Sequence, residues 1–109
     1  MSLRRRSPFD ALVVRQLDLL AEDEHDLLRE AEAAEAAWNR SGADGAEEAY
    51  GDYQLVVDAI ADRLLDTRET YAATVDPSAV DAYRAAFNRA AARRFRRYAT
   101  ILADLDETS

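Results

Sequence analysis

A row of residues at alternating four- and three-residue steps constrains this chain more than any other feature. It runs Val13, Leu17, Leu20, Glu24, Leu27, Ala31, Ala34 and Trp38, with Phe9 one step before it. That spacing is the inward seam of a long helix packed in a bundle. One carboxylate, Glu24, interrupts it. A carboxylate facing a core is costly unless an opposite charge or hydrogen-bond donors answer it, so Glu24 requires a partner or a task.

Two further helices follow from the punctuation. Ser7-Pro8-Phe9-Asp10 reads as a helix start, with serine as cap, proline in the first turn and aspartate at the positive end of the dipole. Ser41-Gly42-Ala43-Asp44-Gly45 is the first loop, and Asp44 with Glu47 has capping-box spacing. The second seam is Tyr50, Tyr53, Val57, Ile60, Leu64, Thr67 and Tyr71. Asp76-Pro77 stops that helix and starts another, which carries Val80, Tyr83, Phe87, Ala91, Phe95, Tyr98, Leu102 and Leu105. The expectation is an all-α fold: an elongated up-down-up three-helix bundle with helices over about 8–39, 45–74 and 77–106. Each would be roughly 45 Å long at 1.5 Å per residue. Residues 1–6 read as a flexible basic tail and residues 7–109 as a single helical-bundle domain. A dimer in which the second or third helix packs across subunits is the alternative assembly.

Composition supports this class. The 109 residues are 49% hydrophobic with only 3 glycines and 2 prolines, too few breakers to interrupt long helices often. There is no cysteine, which removes disulfides, thiol nucleophiles and zinc–thiolate sites. The formal net charge of −8 disfavours nucleic acid and anionic membrane. Arg4-Arg5-Arg6 lacks the apolar run and cleavage site of an export signal, and no stretch approaches the roughly 20 apolar residues of a membrane span. The expected location is the cytoplasm.

The partner of Glu24 can be anticipated from levels along the bundle. First and third helices run parallel, and Glu24 and Arg93 each lie 16 residues beyond their helix-opening prolines, Pro8 and Pro77. At that level Arg94 occupies the slot between Phe87 and Ile101 in a seven-residue row. Glu24 is therefore expected against the Arg93/Arg94 region, with Asp58 of the second helix as an acidic neighbour. The pair would fix helix register.

Glu22-Asp23-Glu24-His25 contains Glu-x-x-His, whose spacing puts a carboxylate and an imidazole on one helical face. Over these four residues the chain resembles ferritin-like proteins, and the resemblance implies a half-bundle binding metal at a subunit interface. Helical phase opposes a core site: with Glu24 inward, Glu22 and His25 project to solvent. His25 is the only histidine. The turn after Trp38 also resembles that of small secreted helical hairpins, although glycine follows the tryptophan by four residues rather than two.

Arg89, Arg93, Arg96 and Arg97 form a stripe at helical spacing. It could bind an anion, or neutralise Glu22, Asp23, Asp26, Glu30 and Glu32 on the parallel helix. Tyr50, Tyr53, Tyr71, Tyr83 and Tyr98 sit at seam positions, which implies buried rings with hydroxyls at the edge; a thin bundle leaves little volume for a tyrosine-lined pocket. Trp38 is expected to close the end of the seam over Ala31 and Ala34. Leu12, Leu19 and Leu55 fall outside the seams and are the expected self-association surface. There is no phosphate loop, dinucleotide fingerprint or nucleophile with a base in reach. No catalytic, cofactor-binding or metal residue is assigned. The expected function is non-catalytic, through a protein partner or a second copy.

Overall fold

The computed structural model describes residues 7–100, which form an all-α fold without strands. Four α-helices lie among the described residues: α1 (Asp10–Asp23), α2 (His25–Arg40), α3 (Ala46–Ala72) and α4 (Val80–Arg94). A 3₁₀ turn, Pro77–Ala79, precedes α4. The basic tail 1–6 and the end of the expected third helix, 101–106, lie outside the described residues. The molecule is elongated, 51 × 33 × 27 Å.

The expected first helix over 8–39 is two helices that meet at Glu24. Its backbone, at φ −105° and ψ 26°, leaves the helical region. Hydrogen bonding nonetheless runs through it: Glu24 N–H donates to the Leu20 carbonyl at 2.8 Å, and the Glu24 carbonyl accepts from Leu28 N–H at 3.0 Å. The halves have different main neighbours, α4 for α1 and α3 for α2. The irregular residue thus sits where one apolar segment passes from one neighbour to the other.

The expected third helix is also interrupted: α4 stops at Arg94, and Thr100 is helical again. Phe95 takes φ −123° and ψ 53°, and its carbonyl accepts from the N–H groups of Tyr98 and Ala99 at 2.9 and 3.0 Å. Phe95 and Ala99 are both buried, which anchors the turn at each end.

The capping expectations divide. Ser7 Oγ accepts from Phe9 N–H at 3.1 Å while Asp10 Oδ2 accepts from Ser7 N–H at 3.0 Å, a reciprocal exchange that fixes the entry to α1. Asp76 Oδ1 accepts from the Ser78 N–H at 2.9 Å, with Pro77 following it, as the sequence implies. Asp44 does not cap α3; the residue before that helix is Gly45, without a side-chain cap.

Tyr83, Phe87, Leu17, Ile60, Leu64 and Val13 are the largest fully buried side chains. Burial of each such apolar side chain contributes about 1.5–3 kcal/mol. Ala31, Ala61, Ala86, Ala90 and Ala91 are buried with them, and such small contact residues let helix axes approach closely. Tyr83 is the hub of an aromatic group, with Phe9 5.5 Å away edge-on, Tyr71 at 4.9 Å and Phe87 at 6.2 Å. The Tyr83 hydroxyl is not at an edge, as a shallow seam would have it. It donates to Gln16 Oε1 at 2.9 Å inside the α1–α4 contact.

Candidate functional site

The structure separates the residues that the sequence singles out. Glu24 does not meet Arg93, Arg94 or Asp58. Its Oε1 lies 3.2 Å from Arg63 Nε of α3, and Arg94 instead pairs with Asp18 at 2.5 Å. Levels taken from Pro8 and Pro77 assume that both helices start in one plane. The Asp18–Arg94 pair shows that the levels taken from the two prolines do not fix which side chains meet. Asp58 is exposed and accepts from Gln54 Nε2 at 3.0 Å.

Glu22 and His25 are both exposed, as helical phase implies, and His25 Nδ1 lies 3.6 Å from Asp26. No group of three or more metal-ligating side chains comes together among the described residues. The arginine stripe is divided. Arg89 pairs with Asp10 at 3.7 Å and Arg97 with Glu35, while Arg93 and Arg96 make no ion pair among the described residues. The acids that meet the stripe are thus Asp10 and Glu35 rather than the expected run from Glu22 to Glu32. Leu12 packs on the core, whereas Leu19 and Leu55 are 50% and 71% exposed. Leu19 lines a groove with Arg63, Asp66 and Thr67; Leu55 lies roughly 16 Å along α3 from Asp66, so the two leucines do not form one patch.

Arg68 is the one buried charged residue among those described, at 5% exposure. Its Nε donates to Glu69 Oε2 at 2.8 Å and its Nη1 to Asn88 Oδ1 at 2.9 Å. Arg84 grips the same carboxylate through Nε and Nη2, at 2.9 and 2.5 Å. These bonds, above all those from Arg84, hold the Glu69 carboxyl below the ordinary carboxylate range. Bonds from Ser78 lower Asp76 in the same way. Burial pushes the phenols of Tyr53, Tyr83 and Tyr98 up. Each of these shifts moves a group away from neutrality, the reverse of what acid–base catalysis uses.

A cleft of about 410 Å³ lies between α2, α3 and the turn after α4. Trp38 comes from α2; Tyr50, Tyr53, Gln54, Val57, Asp58 and Ala61 come from α3; Arg97, Tyr98 and Thr100 follow α4. Trp38 is half-buried at the end of α2. It stacks on Tyr53, with centroids 5.5 Å apart and planes at 27°, and tilts against Tyr50 at 4.8 Å. The cleft overturns the expectation that a thin bundle leaves no such volume, and the early end of α4 is the reason. Had the helix continued straight, Arg97 and Tyr98 would stay on its axis. The turn instead brings them to the α2–α3 pair, with Arg97 bonded to Glu35 of α2. The seam tyrosines signalled the cleft walls in the sequence; the turn that completes it carries neither glycine nor proline.

Fold and site together define an all-α helical bundle with an open aromatic cleft at one end. No protein-family model, curated protein or solved structure matches the chain. Among the described residues no helix is long and apolar enough to cross a membrane.

Proposed function

We propose that this chain is a non-catalytic protein of the cytoplasm that acts by protein–protein contact, with the aromatic cleft as its contact site. The observation that carries this reading is the make-up of the cleft. Trp38, Tyr50, Tyr53, Tyr98 and Arg97 in one concavity are the residue types that dominate binding energy at protein interfaces. Tyr50 is 46% exposed although it is large and aromatic, and its ring rests on Trp38, so a partner would find it already oriented. Tyr53 and Tyr98 are protonated at neutral pH like any phenol, and burial pushes them further up, so they are uncharged donors beside apolar ring faces.

Site-specific photo-crosslinking tests the reading. A benzophenone side chain at position 50, inside the cleft, should give a discrete covalent adduct with one protein in cells that express the chain. The same group at position 81, exposed at the start of α4 and outside the lining, should not. No adduct from position 50, or the same adducts from both positions, would contradict cleft-mediated contact.

A further inference from the structure

We infer that the cleft receives a cationic side chain, an arginine or lysine, presented by a segment of a protein partner. This rests on the contact reading above and specifies the partner's chemistry. Three observations support it. First, π-faces attract a cation placed over them, and the cleft offers four aromatic rings, those of Trp38, Tyr50, Tyr53 and Tyr98. Second, the lining carries two charges, Asp58 and Arg97, and its cation is already neutralised from outside. Arg97, the cation of the lining, is held by Glu35. Asp58 has no cationic partner among the described residues; its bond is to the neutral Gln54 amide. Glu32 adds a further negative charge close enough to act on Tyr98. Arg96, on the same turn and like Glu32 outside the lining, carries the opposite charge, so that Asp58, Glu32, Glu35, Arg96 and Arg97 together leave one net negative charge. Third, the whole chain carries a net charge of −8, which draws a basic segment in and repels an acidic one. An arginine or lysine stem would pass over the rings while its head reached Asp58, the division between apolar stem and charged head natural to those side chains.

Trp38 is the only tryptophan, so its fluorescence reports the cleft directly. The probe is an acetylated, amidated peptide of alternating leucine and arginine, compared with the same peptide carrying citrulline or glutamate for arginine. The arginine peptide should shift Trp38 emission saturably and weaken as salt rises. Asp58→Asn, an exposed substitution, should weaken it about threefold or more. Asp81→Asn makes the same change in net charge at the start of α4, outside the lining, and should leave binding unchanged. No saturable shift, equal binding of the citrulline or glutamate peptide, or equal loss in Asp81→Asn would overturn the cationic assignment. An adduct from position 50 alongside such a result would leave protein contact standing and remove only the partner's charge.

Discussion

Glu24 Oε1 lies 3.2 Å from Arg63 Nε, which ties the interrupted seam of the first long segment to α3 rather than to α4. The carboxylate side chain is 29% exposed and the arginine 58%, so water screens the pair from both sides. Such pairs contribute roughly 0.2–1 kcal/mol. A double-mutant cycle of Glu24→Ala and Arg63→Ala, read by urea unfolding, should return a coupling of about that size. The corresponding Glu24/Arg94 cycle should return none, because Arg94 belongs to Asp18.

Arg68 behaves differently because it is buried. Removing it takes donors from Asn88 and Glu69 and empties the space of its stem. Arg68→Ala should cost about 3 kcal/mol or more, against less than about 1 kcal/mol for Arg63→Ala. Urea midpoints of the two variants, at equal slope, check the order.

Acid should act through Glu69. Its folded-state pKa is depressed, chiefly by the bonds from Arg84. The native state therefore holds fewer protons than the unfolded chain, and the associated stability is fully present above the ordinary glutamate value of about 4.3. It is lost as pH falls through the lower folded value. Thermal unfolding followed downward from pH 6 should show this loss, and Glu69→Gln should flatten it while lowering stability at neutral pH. Asp76, depressed by Ser78, contributes with the same sign.

Inside the aromatic group, Tyr83→Phe removes a hydroxyl that donates to Gln16 and leaves the ring in place. It should cost about 1 kcal/mol. Phe87→Ala opens a cavity in the same layer and should cost about 3–5 kcal/mol. Denaturant unfolding separates the two, and similar losses would mean that the hydroxyl carries more than its bond.

The parts of the fold legible in the sequence were those written in local chemistry. Ser7 with Asp10, the glycine loop at Gly42 and Gly45, and Asp76-Pro77 mark helix boundaries through capping and breaker residues, and they lie where the structure changes direction. The breaks at Glu24 and Phe95 have no such mark. Each joins elements with different packing partners, and side-chain burial across the bundle decides their place. Register was hidden for the same reason: that Asp18 meets Arg94 and Glu24 meets Arg63 follows from how whole helices pack, which no local residue marks. The walls of the cleft were visible as tyrosines on a seam. That they enclose a volume depended on the unmarked turn after Arg94.

The most direct test of cleft-mediated contact is an amide NMR footprint of the full chain with the protein captured from position 50. Shifts should concentrate at the Trp38 indole, at residues 35–61 on the cleft side of α2 and α3, and at Arg97 and Tyr98. A footprint centred instead on Asp62 and Asp66, or on Val14 and Leu19 of α1, would contradict the account.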